Sequence, residues 1–162
     1  MVKKFNRFEE AFLISTLAVM VVLIFSQVVG RYVFQSAPSW TEEVARYIHV
    51  FQVWIGAGYA VKLGEHIRVS AFINLFNGKA RKVLEMLAII IWFLLALFLA
   101  FLGTKLVLST FGHGQVSPAI QLPFWIPFLA IPIGGLSMAI RLIQQLLKVY
   151  QTDYDKPKEL AE

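Results

Sequence analysis

Uncharged apolar stretches of membrane-spanning length dominate this chain. Between Glu10 and Arg31 lie twenty consecutive residues without a charge, and three more apolar stretches follow, the first of which carries Arg46. A helix needs about 20 apolar residues to cross a hydrocarbon core of about 30 Å. We therefore predict an all-α integral membrane protein with four transmembrane helices. The predicted spans are about 11–34, 40–62, 80–111 and 122–148, within a transmembrane domain of residues 1–150.

Two polar segments lie outside these spans. In residues 67–76, Phe72, Ile73 and Phe76 share a helical spacing beside polar residues, and the segment is too short and too polar to cross a bilayer. It is predicted to form a short amphipathic helix on the cytoplasmic surface between helices 2 and 3. Residues 151–162 are polar and are predicted to form a cytoplasmic tail.

The positive charges alternate between the two sides of the predicted bundle. Lys and Arg are concentrated before the first span, between the second and third, and after the fourth, whereas the other two connections carry only Arg31. This distribution follows the positive-inside rule and places both termini in the cytoplasm. Because topology explains the net charge of +5, membrane lipids are predicted partners and nucleic acid is not.

Cofactor chemistry has little support in the sequence. The chain has no cysteine, which excludes disulfides, c-type haem attachment and thiolate metal sites. Three histidines raise the possibility of a b-type haem, but His49 lies within helix 2, His66 on the cytoplasmic side and His113 in the second outer loop. No two of them share a depth suited to bis-histidine ligation. We predict no cofactor and no metal in this chain.

Helix 2 carries a polar stripe in its outer half. Glu42, Arg46 and His49 fall on one helical face, which is costly to expose to lipid, and Glu43 lies beside them. The stripe could form an ion or substrate pathway, or Glu42 and Arg46 could form a structural (i, i+4) ion pair. A continuous pathway needs polar groups through the full depth, so the pattern favours the structural interpretation. Arg31 could pair with either glutamate across the short first loop.

Glycines mark predicted sites of close helix contact. Gly134 and Gly135 follow Pro132 in the fourth span, a combination that predicts a kink or a close approach of a neighbouring helix. Gly56 shares the polar stripe of helix 2 and is assigned to the same group.

Four segments together resemble a known family. They are Arg31-Tyr32-Val33-Phe34, Pro38 to Arg46 (Pro-Ser-Trp-Thr-Glu-Glu-Val-Ala-Arg), Gly64-Glu65-His66-Ile67, and Pro132-Ile133-Gly134 ahead of Arg141. Through these segments the chain resembles the small membrane subunit of tripartite ATP-independent periplasmic (TRAP) transporters. The resemblance covers nearly all of the chain, as far as about Tyr150. Many members of that family have proline ahead of helix 3 where this chain has Asn77-Gly78.

The resemblance implies a scaffold rather than a catalyst. It implies a bacterial inner-membrane subunit that supports a large membrane subunit, where the sodium and substrate sites lie. A periplasmic binding protein would deliver an organic acid, either sialic acid or a C4-dicarboxylate. The chain would not be an enzyme, and it lacks the internal repeats and discontinuous helices with which lone transporters build their sites.

The two outer loops are the candidate docking surface for such a binding protein. They are short, polar and nearly uncharged, and an ordinary solvated turn is the alternative interpretation. The candidate residues are Ser36, Ser39, His113, Gln115 and Ser117.

Two other functions remain open at this point. One is a small membrane anchor or cytochrome b-like redox subunit, which a haem absorption band would reveal. The other is a small homo-oligomeric channel, which would conduct ions without a partner. The solute, the stoichiometry and the interface with a large subunit do not follow from the sequence.

Overall fold

The computed structural model describes residues 2–36, 38–63 and 78–151, and this part of the chain is helical with short connections. Its helices are α1 (Val2–Tyr32), α2 (Ser39–Leu63), α3 (Gly78–Gly112), α4 (Trp125–Phe128) and α5 (Ala130–Gln151). The predicted surface helix lies within 64–77 and the predicted tail almost wholly within 152–162, so both fall outside the described residues.

Helix α5 is the centre of the described fold. It packs against α3 on one side and α2 on the other, and α2 and α3 pack against α5 rather than backbone to backbone against each other. Within the described ranges, the backbone of α1 lies along α2 alone among the helices, and α1 reaches α5 through the Glu9 side chain. The backbone order across the molecule is therefore α1, α2, α5, α3.

The hydrophobic core lies where α2, α3 and α5 meet. Ile89 of α3 and Leu142 of α5 are its most deeply buried large side chains, and Val61 of α2 joins them. By contrast, the most apolar 18-residue stretch of α1 has no buried residue. Apolar side chains exposed in this way are suited to a lipid environment.

Three stretches of the described chain are long and apolar enough to cross a membrane. They are Glu9–Tyr32, Lys79–Gly112 and Trp125–Gln151. The sequence predicted a fourth span in α2, but α2 is not apolar enough to count among these stretches. The reason is compositional, because even the most apolar part of α2 contains Arg46, His49 and Gln52.

Prolines explain the break between α4 and α5. Leu129 separates the two helices, although its N–H still donates to the Trp125 carbonyl at 3.1 Å. Pro132 has no N–H to donate to the carbonyl of Phe128, four residues earlier, so the helical ladder is interrupted there. The helical ladder is thus interrupted ahead of Pro132, while Leu129 keeps a right-handed helical backbone.

The described fold has two ends, which take their names from residues of α2, the Trp40 end and the Lys62 end. At the Trp40 end, α2 begins and the α3–α4 connection lies beside it, because the Ala119 N–H donates to the Glu43 carboxylate at 2.9 Å. At the Lys62 end, the Lys82 ammonium donates to the Tyr150 carbonyl at 2.7 Å, so the start of α3 lies beside the end of α5.

Candidate functional site

The predicted ion pair of α2 is present and lies on the surface. The Arg46 guanidinium donates to the Glu42 carboxylate at 3.1 Å, and the two side chains are 67% and 54% exposed. Gln27 of α1 also donates to Glu42, at 3.2 Å. Because the pair is so exposed, it contributes little to the folding of the chain alone. Its contribution to stability therefore depends on what covers this face.

Glu43 has a different environment from Glu42, although the two are adjacent. It is 7% exposed and accepts hydrogen bonds from the N–H groups of Ala119 and Ile120, at 2.9 and 3.1 Å, and from the Tyr47 hydroxyl. A buried carboxylate requires such donors, and bonds to an ionised acceptor are strong. Glu43 thus attaches the α3–α4 connection to α2.

The α3–α4 connection is a small folded unit. Val116 and Pro123 form an isolated antiparallel bridge, and Ser117 donates its N–H to the Leu122 carbonyl at 2.9 Å. The Ser117 hydroxyl accepts from the Leu122 N–H at 3.0 Å, and the residue is 1% exposed. Ser117 was a candidate docking residue, but in this structure its side chain has no surface to offer a partner.

The remaining candidate docking residues are exposed at the Trp40 end. Ser36 and Ser39 flank the α1–α2 connection, and His113 and Gln115 lie in the α3–α4 connection. The His113 Nδ1 lies 2.6 Å from the Ser109 carbonyl oxygen, which orients the ring. These four side chains therefore share one end of the molecule.

Arg31 and His49 are also exposed. Arg31 and Glu42 line a pocket of about 280 Å³, without an ion pair between them in the described part of the chain. His49 lies one turn beyond Arg46 on α2. Arg31, Glu42, Arg46 and His49 therefore lie on one face. Glu43 does not, because its carboxylate contacts the α3–α4 connection.

A cavity of about 490 Å³ opens beside this polar group. Its polar wall is the first part of α2, with Glu42, Glu43 and Arg46, and its apolar wall includes Phe124 and Phe128. A second cavity, of about 200 Å³, lies further along α2 and is lined by apolar side chains of α2, α3 and α5. Within 2–36, 38–63 and 78–151, no three His, Asp or Glu residues converge as they would at a metal site.

Glycines allow close helix contacts on α5 and also on α3, where a Cβ on Gly103 would lie 2.6 Å from the Ile131 Cγ2. A Cβ on Gly134 would lie 2.8 Å from the Trp54 carbonyl oxygen of α2, and one on Gly135 would lie 3.0 Å from the Ala100 Cβ of α3. Gly56 is less constrained, since its nearest neighbour would be a Leu13 methyl at 3.7 Å. Gly134 and Gly135 thus bring α5 against two helices at once, whereas Gly56 makes an ordinary contact.

Sequence reasoning missed an ion pair at the other end of the bundle. Arg141 of α5 donates to Glu9 of α1, and their side chains are 10% and 7% exposed. The Arg141 side chain passes close to Gly58 of α2, where an added Cβ would lie 3.8 Å from its Nη1. The sequence did carry a signal for this pair, because Glu9 and Arg141 lie at a similar predicted depth in two antiparallel spans.

Comparison with known proteins identifies the family. Residues 20–152 match the model of the tripartite ATP-independent periplasmic transporters, DctQ component. The isethionate TRAP transporter permease protein DctMQ of Oleidesulfovibrio alaskensis is 28% identical, over 86% of this chain and 23% of that protein. The C4-dicarboxylate TRAP transporter small permease protein DctQ of Rhodobacter capsulatus is 30% identical, over 65% of this chain and 46% of that protein.

A third relative is the ectoine TRAP transporter small permease protein TeaB of Halomonas elongata, which is 28% identical over 76% of this chain and 64% of that protein. The chain therefore spans less than two thirds of the length of these three relatives. The family consists of transporter components and not of enzymes, as predicted. The matched region covers most of the sequence, and the chain belongs to the DctQ component family of the TRAP transporters, as a multi-pass membrane protein.

Proposed function

We propose that this chain is the small permease subunit of a sodium-coupled TRAP transporter and acts as a scaffold for a large transport subunit. The family match over residues 20–152 carries the proposal. The relative from Oleidesulfovibrio alaskensis adds support, because a chain about four times longer, named a DctMQ permease, contains a region similar to this one.

The distribution of polar groups supports a scaffold rather than a transport path. Apart from Lys62 at the opposite end, the charged residues of α2 that face the surface lie near the Trp40 end, and the interior between α2, α3 and α5 is apolar. Solute translocation requires polar groups across the bilayer. On this proposal the sodium and solute sites belong to the large subunit, and this chain holds no cofactor.

The proposed setting is the bacterial inner membrane, with four crossings and both termini in the cytoplasm. The positive-inside distribution of Lys and Arg supports this orientation. It makes the Trp40 end periplasmic, and α2 crosses the membrane with its polar face covered by protein. The proposed solute is a small organic acid, such as sialic acid or a C4-dicarboxylate. The relatives above are named for isethionate, C4-dicarboxylate and ectoine, so their names do not select sialic acid.

Reconstitution tests the proposed function. Proteoliposomes that contain this chain alone should show no sodium-driven uptake, because the chain holds no site for the solute. Uptake of labelled organic acid should require this chain, its cognate large subunit and the periplasmic binding protein together. Uptake by the isolated chain, or full uptake when this chain is omitted, would contradict the proposal.

A second test concerns docking of the binding protein at the Trp40 end. His113 and Gln115 are exposed there, and loops on a rigid scaffold commonly carry such contacts. Replacing both by glutamate should lower uptake at limiting binding protein about tenfold, since a loss of about 1.4 kcal/mol in docking has that effect.

The matched control for docking is Lys79→Glu, an exposed charge reversal at the Lys62 end. It should leave uptake unchanged, and both variants should retain the large subunit on purification. Equal uptake by the double variant and the control would assign docking to the large subunit alone.

A further inference from the structure

Two of the cavities described above lie one after the other along one side of α2, and together they are called the α2 groove. Their volumes are about 490 Å³ near the Trp40 end and about 200 Å³ nearer the Lys62 end. Some of the α2 residues that line them follow a spacing of three or four and so share one helical face, namely Glu42, Arg46, Val50, Val53, Ala57 and Val61. The other α2 residues in the lining are Ser39, Glu43, Tyr47 and Trp54.

The groove changes in character along its length. Near the Trp40 end it is edged by the exposed Glu42–Arg46 pair, with Arg31 and His49 close by. Beyond Val50 its lining is apolar, with Val53 half exposed and Trp92 and Leu95 on the opposite wall.

We propose that this groove seats a transmembrane helix of the large permease subunit. The proposal rests on the proposed function, and it assigns the face of this chain on which the large subunit lies. The charge and the length of the groove favour this occupant over lipid, and a longer relative favours it over a second copy of the chain.

Charge argues against lipid as the occupant. Exposed Glu42, Arg46 and His49 side chains lie within the first eleven residues of α2, and such groups in a spanning helix face protein or water rather than acyl chains. Polar groups between membrane helices can instead form interhelical hydrogen bonds. A protein surface with its own polar groups therefore covers this face more favourably.

The length of the groove also favours a protein helix over lipid. From Glu42 to Val61 the groove extends about 29 Å, at about 1.5 Å of helix rise per residue. This matches the full hydrocarbon thickness of about 30 Å, whereas the acyl chains of one leaflet reach about half of it. A single lipid would leave half of the groove open, and a transmembrane helix would fill it.

A relative argues against a second copy of the chain. In the DctMQ permease of Oleidesulfovibrio alaskensis, a region similar to this chain belongs to a protein about four times longer, so a large permease partner lies on the same chain there. The charged side chains that line the groove are Glu42, Glu43 and Arg46, of which Glu43 already accepts three hydrogen bonds within this chain. The exposed Glu42 and Arg46 can therefore each meet a polar group of the partner helix near its periplasmic end.

Site-specific photo-crosslinking in the assembled complex tests this assignment. Val53 and Ile133 are a matched pair, since their exposed fractions are 50% and 52% and the adjacent residues Trp54 and Gly134 touch each other. Ile133 lies on the other side of α5 from Met138, which lines the groove. With p-benzoylphenylalanine at Val53, illumination should give an adduct with the co-expressed cognate large subunit, and at Ile133 no such adduct.

Position 46, whose side chain lines the groove and is 67% exposed, provides a second probe. Leu136 provides a second control on the far side, where it is 53% exposed. An adduct at Val53 or Arg46 with phospholipid or with a second copy would overturn the proposal, as would equal adducts at Ile133 and Leu136. If the large subunit co-purifies but neither groove position crosslinks to it, only the assigned face is wrong. If the large subunit does not co-purify with the unmodified chain, the proposed function fails as well.

Discussion

Arg141→Ala is expected to destabilise the purified chain by about 3–5 kcal/mol, the largest effect that any single substitution discussed here should have. Arg141 and Glu9 are 10% and 7% exposed, so removing the guanidinium leaves a carboxylate with neither water nor a cation beside it. The measurement is the free energy of unfolding in mild detergent, by denaturant titration followed by circular dichroism.

Arg7→Ala is the matched control for the ion pair. Arg7 is an exposed arginine on α1, two residues from Glu9, and its removal should change stability by no more than about 0.5 kcal/mol. The double variant Glu9→Leu with Arg141→Leu should recover part of the loss, because no unpaired charge remains. Equal stability of Arg141→Ala and Arg7→Ala would show that the pair does not hold α1 to the rest of the fold.

Gly134→Ala is expected to cost about 1–3 kcal/mol through overpacking. The new Cβ would lie 2.7 Å from the Trp54 Cβ and 2.8 Å from the Trp54 carbonyl oxygen, and a backbone carbonyl cannot rotate out of the way. Helix α5 must then move away from α2, which disturbs the packing on which the core depends. The midpoint of thermal unfolding should fall accordingly.

Gly56→Ala is the control for Gly134→Ala. Its Cβ would meet only the Leu13 methyl at 3.7 Å, an ordinary contact, and alanine favours the helix by about 0.8–1.0 kcal/mol over glycine. We expect Gly56→Ala to be neutral or stabilising. Similar midpoints for the two variants would mean that α2 and α5 are not held as closely as the structure shows.

Contacts within one helix could be predicted from the sequence. Glu42 and Arg46 are four residues apart, so helical periodicity alone brings them together. Gly134 and Gly135, beside Pro132, likewise predict a close approach of a neighbouring helix, although they do not say which helix. The structure answers that question, since Gly134 meets α2 and Gly135 meets α3.

Contacts between distant segments could not be predicted in the same way. Glu43 is adjacent to Glu42 in the sequence, yet its side chain is buried against the N–H groups of Ala119 and Ile120. Ser117 looks like any polar loop residue, yet the local fold buries it. Both outcomes depend on where the α3–α4 connection lies relative to α2, which no local pattern specifies.

The helical and apolar character of the chain, and the distribution of its charges between the ends of the predicted spans, can be predicted from the amino-acid sequence. These properties follow from local composition and periodicity, which hold whatever the neighbours of a helix are. The order α1, α2, α5, α3, the ion pair between Glu9 and Arg141, and the groove along α2 depend instead on how the helices pack. Helices that are apolar on nearly every side have many possible neighbours, so the choice among them depends on small residues and paired charges far apart in the chain.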